Sequence, residues 1–257
     1  MTSVNIGKAF SGHLFPFLFI FSRLGSALIL FPGIGETYVP VRMRLMFAAS
    51  LSFIMLEPLM PSLPAAPATP SGLAFVIFFE ILVGIFFGTI LRLIMNCLET
   101  VGSIVAVQMG LSNAMILNPV LASQSPLPSA FLSITGVTLL FISGLDHMLI
   151  RSLVATYNIF PPGDTLQPGD IAQSLIQLMD RSFMVGIQLS TPFLVVGLLM
   201  YVALGMMQKL MPQVQLFLVM LPVQIWGGLV LLAVSVAGIM TVWLQYFDRT
   251  LSTFPGH

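Results

Sequence analysis

The chain contains 257 residues, of which 57% are hydrophobic and only 7% are charged, and its mean hydropathy is +1.03. Nine basic and nine acidic residues leave no net charge, which excludes a basic surface for nucleic acid, and one cysteine excludes an intramolecular disulfide and a multi-cysteine metal site. Soluble domains carry about 25% charged residues, so this composition predicts an integral membrane protein.

Apolar segments of about 20 residues, the length that crosses a bilayer, recur along the chain and predict an all-α fold of helical hairpins. Five of them lie at residues 13–31, 43–60, 73–95, 129–150 and 183–207. A sixth, at 214–245, is too long for one crossing and is predicted to split or bend near Gly227 and Gly228. Residues 101–117 are too mixed in polarity to insert alone, and residues 152–170 are predicted to form an exposed, turn-rich connection.

The loop between the first two segments ends with Arg42 and Arg44. The positive-inside rule therefore predicts that this loop is cytoplasmic. The next loop, from Pro58 to Gly72, contains no Lys or Arg, so it fits the opposite side. Its five prolines predict a stiff, extended spacer.

Four residues of the third segment form one ridge along a helix, because Glu80, Gly84, Gly88 and Arg92 recur every four positions. The glycines permit a second helix to approach closely. The two charges are about 18 Å apart at 1.5 Å per residue, so each needs a partner elsewhere. Two interpretations are open: tight packing within this chain, or packing and ion pairing with other subunits.

A polar loop is predicted from Gln108 to Pro126, where amide and hydroxyl side chains concentrate and Asn118-Pro119 is a strong turn signal. Irregular polar backbone at membrane depth is tolerated only where it is buried in protein or lines an aqueous cavity. The alternative is an ordinary exposed loop.

The stretch Tyr201–Pro222 predicts a tight polar corner between two helices. Pro212 suits the first turn of a new helix, and Lys209 falls in the last turn of the preceding one, where the macrodipole favours a cation.

Neither of the competing function classes is supported by a sequence signature. A membrane enzyme would need a motif such as His-Glu-x-x-His, Gly-x-Ser-x-Gly or a Gly-rich phosphate loop, and the sequence has none. Asp146 and His147 are adjacent, so on a helix their side chains point about 100° apart and no proton relay is predicted. A small-solute permease would show an internal repeat with interrupted helices, and none is found.

The ridge, the polar loop and the corner together resemble the FliR family, the flagellar members of the type III secretion export apparatus, whose virulence counterparts are called SctT. The most specific residues are Gly205, Lys209, Pro212, Gln213 and Phe217 at the corner, and Gln108, Met109, Gly110, Asn118, Pro119 and Gln124 in the polar loop. Supporting residues are Arg23, Pro32, Pro40, Arg42, Glu80, Gly84, Gly88, Gly144, His147, Pro161 and Gly163.

The chain departs from the family pattern in three places. Lys209 stands where members commonly carry Arg, which keeps the charge but loses planar bidentate pairing. Asn118 replaces a frequent Asp. One additional residue separates Gly144 from His147, so the role of that histidine is open.

The resemblance implies a non-enzymatic subunit without a cofactor, located in the bacterial inner membrane within the flagellar basal body and extending toward the periplasm. It implies that the chain forms a pore with FliP-type and FliQ-type subunits, works with FlhA-type and FlhB-type components, contacts membrane lipids and passes unfolded flagellar proteins. The virulence system is the alternative. One export-gate domain over residues 1–257 is implied, with a FliP-like part at about 1–180 and a FliQ-like hairpin at about 181–250.

The resemblance also implies roles for individual residues. The gate or plug residues are Gln108, Met109, Gly110, Asn113, Met115, Asn118, Pro119 and Gln124. The subunit-packing residues are Glu80, Gly84, Gly88, Arg92, Lys209, Pro212, Gln213 and Phe217. Catalytic, cofactor and metal sites are not expected. Deletion of residues 109–116 is expected to leave assembly intact and to make the membrane leaky to small ions.

Overall fold

The computed structural model describes residues 6–64, 67, 69–111, 126–161, 168–210 and 216–252, with side chains at all of these except 6–12, 168, 170 and 216–219. The helices are α1 (Ile6–Ile29), α2 (Val41–Ile54), α3 (Leu56–Leu59), α4 (Pro70–Gln108), α5 (Leu127–Ile142), α6 (Leu145–Ile159), α7 (Pro168–Leu210) and α8 (Leu216–Ser252). A 3-10 turn at Met60–Ser62 follows α3. No strand occurs in the described ranges, and the predicted all-α fold is confirmed.

Within the described ranges, three helices are long and apolar enough to cross a membrane: α4, α7 from Ile171 and α8 from Met220. The number rises to five if α2 with the turns up to Ser62, and α5 with α6, each count as one bent span. The 39 residues of α4 extend for about 58 Å at 1.5 Å per residue, whereas the hydrocarbon core is about 30 Å thick. Even a 40° tilt, the upper end of the usual range, leaves part of α4 outside the hydrocarbon.

The helices group into two compact units. Unit 1 comprises Met1–Leu93, Asp146–Leu178 and Leu251–His257, and unit 2 comprises Ile94–Leu145 and Met179–Thr250. Helices α4 and α7 therefore contribute residues to both units. The division of one export-gate domain into parts at about 1–180 and 181–250 stays a prediction.

Helix α4 begins at Pro70 because proline suits the first helical turn and because Thr69 Oγ1 accepts a hydrogen bond from the Gly72 N–H at 3.2 Å. The helix then continues beyond the predicted segment 73–95. Residues 101–108 are its last two turns, not part of a separate segment, because three of their apolar side chains are buried within unit 2. These side chains belong to Val101, Val105 and Ala106.

The predicted segment 129–150 is interrupted by Gly144, whose φ of +71° suits a glycine at a helix C-terminus. A second helix, α6, follows immediately. The predicted exposed connection 152–170 is therefore wrong in its first half, because hydroxyl-bearing residues there face the interior of unit 1. Ser152, Thr156 and Tyr157 are all buried.

Other predicted boundaries also change. The fifth predicted segment, 183–207, lies within the longer α7, which starts at a proline. Residues 56–62 form short helical turns, so the prediction of an extended spacer is wrong for the first part of the Pro58–Gly72 loop. Helix α8 continues without interruption through Gly227 and Gly228, so the predicted split is not found. An unbroken helix satisfies its backbone polar groups internally, which a membrane environment favours.

Candidate functional site

Unit 1 contains a buried ion pair at the first residue of the ridge. Arg23 of α1 is 1% exposed and Glu80 of α4 is 2% exposed. The Arg23 Nε and Nη2 groups donate to the two Glu80 carboxylate oxygens at 2.5 and 2.9 Å. This bidentate geometry uses the planar guanidinium fully. A buried charge without such a partner is strongly destabilising, so the pair explains how two charges are tolerated in apolar helices.

Helix α6 and the residue after it supply the other partners of Arg23. Its Nη2 donates to the Phe160 carbonyl oxygen at 3.1 Å, and its Nη1 lies 3.5 Å from Thr156 Oγ1. The guanidinium carbon lies 3.9 Å from the centre of the Tyr157 ring, which is a cation–π contact. Arg23 therefore connects α1, α4 and α6 inside unit 1.

The rest of the ridge also packs within this chain. A Cβ atom at Gly84 would overlap Ser26 Oγ and the Arg23 carbonyl oxygen, and one at Gly88 would lie 2.8 Å from Leu30 Cβ. Both glycines thus allow α1 to approach α4 closely. The structure supports the first of the two open interpretations.

Arg92, the last ridge residue, is also engaged within unit 1. Its Nη1 donates to Glu36 Oε1 at 3.1 Å, in a partly exposed pair. Neither ridge charge therefore needs a partner in another subunit, and a role of the ridge in subunit contacts stays a prediction without that support.

Unit 2 fixes the first residues of the predicted polar loop. Met109 is 1% exposed, and a Cβ atom at Gly228 of α8 would overlap its Cγ atom. On the other side, a Cβ atom at Gly197 of α7 would overlap Gln108 Oε1. The two glycines thus make room for two consecutive side chains at the end of α4. The chain then turns at Gly110, whose φ is +71°.

A cavity of about 200 Å³ lies at this position in unit 2. Residues that line it include Gln108, Met109, Phe193, Gly197, Gln224 and Gly228. Gln108 Oε1 is buried, and no residue that the structure describes donates a hydrogen bond to it. An unsatisfied buried acceptor costs about 1–3 kcal/mol, so this oxygen is a position where a donor would be stabilised.

Several predicted site residues lie outside the described residues. These are Asn113, Met115, Asn118, Pro119 and Gln124 of the polar loop, and Pro212 and Gln213 of the corner, together with the side chain of Phe217. Lys209 is exposed in the last turn of α7, which confirms the placement predicted for it.

Some partners were not found from the sequence. The sequence does not identify Arg23 as the partner of Glu80, and Thr156 and Tyr157 fall in the stretch that it predicts as an exposed connection. Asp146 and His147 do approach each other, with Oδ1 and Nδ1 3.1 Å apart at the exposed start of α6, although the helical angle argued against a contact. Within the described residues, no cluster of His, Cys, Asp or Glu is arranged to hold a metal ion.

Comparison with known proteins identifies the family. Residues 14–250 match the family described as bacterial export proteins, family 1. The chain is 35% identical over 235 residues to the flagellar biosynthetic protein FliR of Caulobacter vibrioides, which covers 91% of this chain and 94% of that protein. It is 27% identical over 245 residues to FliR of Bacillus subtilis, with 93% of each chain covered. Identity to FliR of Escherichia coli is 27% over 222 residues, covering 86% and 82%. The chain therefore belongs to the FliR family of bacterial export proteins.

Proposed function

We propose that this protein is a structural, pore-forming subunit of the flagellar type III secretion export gate. The observation that carries the proposal is the family match over residues 14–250, which spans both compact units. In this role the chain assembles with FliP-type and FliQ-type subunits and lets unfolded flagellar proteins cross the inner membrane. It catalyses no reaction and holds no cofactor.

The end of α4 is the part of unit 2 that best suits a gate. Gln108 and Met109 are held between α7 and α8, so the residues after Gly110 start from a fixed point. A gating segment needs such a rigid base if it is to move while the subunit stays folded. The polar loop, with Asn113, Met115, Asn118, Pro119 and Gln124, is the proposed plug of the closed pore.

The exposed side chains of α7 suit a subunit surrounded by lipid and other helices. Between Val195 and Met206 the exposed large apolar residues include Val195, Leu198, Leu199, Tyr201, Val202 and Met206. An apolar surface of this kind is stable only against lipid or protein. We assign it to lipid and to FliP-type and FliQ-type partners, in a basal body where FlhA-type and FlhB-type components act and the gate extends toward the periplasm.

The proposal is tested by native mass spectrometry of the chain co-expressed with FliP-type and FliQ-type proteins from the same source and extracted in mild detergent. A defined hetero-oligomer that contains this chain is expected. A chain that stays monomeric, or that associates only with itself, would contradict the proposal and favour a small-solute permease.

A charge variant at the corner sharpens this experiment. Lys209 is exposed and sits where relatives commonly carry Arg, so Lys209→Arg should preserve the hetero-oligomer, whereas Lys209→Glu should reduce its yield. The matched control is Arg42→Glu, which reverses another exposed cation that is not assigned to subunit packing. Equal yields for Lys209→Glu and Arg42→Glu would remove Lys209 from the interface.

A further inference from the structure

An apolar groove of about 610 Å³ lies between α1, α2 and α4 in unit 1. Its lining includes Leu18, Phe21, Gly25, Leu45, Ile77 and Ile81. Two serines also line it, but Ser22 and Ser26 donate to backbone carbonyl oxygens of α1 itself, each at 2.7 Å. The walls therefore offer little polarity to a ligand. The volume falls within the range of small-molecule sites, about 300–1,000 Å³.

One cation, Arg44, also lines this groove. Its Nε donates to the Val39 carbonyl oxygen at 3.1 Å, and its Nη2 donates to the carbonyl oxygens of Glu36 and Val39, both at 2.9 Å. Its Nη1 finds no hydrogen-bond acceptor among the residues that the structure describes. The Glu36 carboxylate pairs with Arg92 instead. Arg44 is thus held in place by neutral carbonyl groups and keeps its positive charge and one donor group for a ligand.

We propose that this groove binds an anionic phospholipid of the membrane, with one acyl chain along its apolar wall and the phosphate on Arg44. Both parts of such a lipid match the groove. The acyl chain needs apolar walls, and the phosphate needs a guanidinium group that is already held in position. Arg42 and Arg44 lie in the first turn of α2, at the end of the chain segment that the positive-inside rule assigns to the cytoplasm, where anionic lipids concentrate. The inference rests on the membrane location of the chain and not on its export role.

Two variants separate the two halves of this site. A Cβ atom at Gly25 would contact only the Phe21 ring of the same helix, at 3.8 Å, and Gly25 lines the groove, so Gly25→Leu places a side chain in the groove. Arg44→Gln removes the charge. The matched control is Arg42→Gln, because Arg42 is exposed and does not line the groove.

The experiment is native mass spectrometry of the full-length chain in mixed micelles that contain either phosphatidylglycerol or phosphatidylcholine. The wild type and Arg42→Gln should retain one phosphatidylglycerol with equal affinity. Arg44→Gln should bind it about fivefold more weakly, because one arginine near the membrane surface contributes about 1 kcal/mol. Gly25→Leu should retain no phosphatidylglycerol. Phosphatidylcholine has no net charge, so the wild type should bind it about as weakly as Arg44→Gln binds phosphatidylglycerol.

Arg44→Lys is the control for misfolding. It keeps the positive charge but loses the hydrogen bonds that the guanidinium makes to the carbonyl oxygens of Glu36 and Val39. If Arg44→Lys retains the lipid, weaker binding by Arg44→Gln reports the charge and not a disordered loop. Loss of binding in Arg44→Lys as well, with an altered circular dichroism spectrum, would reduce Arg44 to a structural role. Equal retention by Gly25→Leu would overturn the site. So would release of the lipid when FliP-type and FliQ-type subunits bind, because the groove would then be a protein interface.

Discussion

Arg23 carries more of the polar chemistry of unit 1 than any other residue described above. Its side chain donates to a carboxylate, a backbone carbonyl and a hydroxyl group, and it stacks on a tyrosine ring. Each of these partners sits on an element that is separate from α1 in the sequence. Since Arg23 and Glu80 are almost fully buried, bulk water cannot replace these hydrogen bonds, and no other cation pairs with Glu80 among the residues that the structure describes.

The first prediction concerns this ion pair. Arg23→Gln should lower the free energy of unfolding by about 3–5 kcal/mol, because Glu80 is left buried and uncompensated. The measurement is thermal unfolding of the purified chain in detergent. The double variant Arg23→Leu/Glu80→Leu should lose less than the single variant, because it removes both charges together. A single variant as stable as the exposed control Arg42→Gln would show that Glu80 is not held by Arg23.

At the scale of residues, the sequence predicts that each ridge charge needs a partner of opposite charge, but it does not predict which residue that partner is. The four-residue spacing of the ridge identified Glu80 and Arg92 as charges that cannot pair with each other. It did not identify Arg23 or Glu36, because a partner 57 or 56 residues away in sequence is set by which helices pack together. Tyr157 was missed for a related reason. The polar residues around it predict an exposed loop unless it is known that they pack around the buried Arg23 side chain.

At the scale of elements, the closeness of α1 and α4 depends on the absence of a side chain at Gly84. We predict that Gly84→Ala lowers the free energy of unfolding by about 1–3 kcal/mol, because the new methyl group overlaps Ser26 and the α1 backbone. Thermal unfolding in detergent measures this.

The matched control for Gly84 is Gly238→Ala, a helical glycine with no neighbouring atom within 4 Å of its Cβ position. It should be neutral or more stable by up to about 1 kcal/mol, because alanine restricts the unfolded chain. Equal effects of the two substitutions would mean that α1 and α4 are not in close contact.

Helix α8 contains an adjacent pair of glycines, Gly227 and Gly228, beside the end of α4, and these allow a second test. Gly228→Leu should destabilise the chain by about 1–3 kcal/mol because its side chain displaces Met109, whereas Gly227→Leu should have little effect, since a Cβ there meets no atom within 4 Å. Unfolding in detergent is the measurement. Combining Gly228→Leu with Met109→Ala should recover part of the loss, because the two changes share one space. Additive losses would contradict the contact.

The helix boundaries show which structural features can be predicted from the hydropathy of the sequence. Long apolar runs located α1, α4, α7 and α8 but not their bounds, since hydrophobic length is the dominant signal for a membrane helix. The interruption at Gly144 was missed because apolar residues continue beyond it, at Leu145 and at Met148–Ile150, and extend the apolar run. The continuation of α4 to Gln108 was missed because Glu99 and Ser103 are polar and exposed, which lowers the mean hydropathy, while the buried face remains apolar.

At the scale of the whole molecule, the proposed gate can be tested by a deletion that spares the buried Met109. Met109 is a core residue of unit 2, so the deletion of residues 109–116 expected from the sequence would mix loss of packing with loss of a plug. We predict instead that deletion of residues 112–116 leaves assembly with FliP-type and FliQ-type subunits intact and raises the ion conductance of the complex in planar bilayers. An open pore conducts ions once its obstruction is removed.

The control for this deletion is Met109→Ala. It should lower stability by about 2–5 kcal/mol, as large-to-small core substitutions do, and leave conductance low because the loop is complete. An assembled deletion complex with unchanged conductance would count against a plug. Leakage in Met109→Ala alone would show that packing at the end of α4, and not the loop, keeps the pore closed.

The partners of Arg23 also bear on the order in which the protein is made. Ribosomes add about 5–20 residues per second, so Glu80, 57 residues after Arg23, emerges roughly 3–11 s later, and Thr156, 133 residues after it, later still. During that interval the first hydrophobic segment presents an unpaired arginine to the translocon, at a cost of about 2.5–3.5 kcal/mol near the middle of a membrane. Glu80 on α4 and Thr156 on α6 remove this cost when they pair with Arg23, so we expect α1 to reach its full stability in the membrane only after both helices have been made.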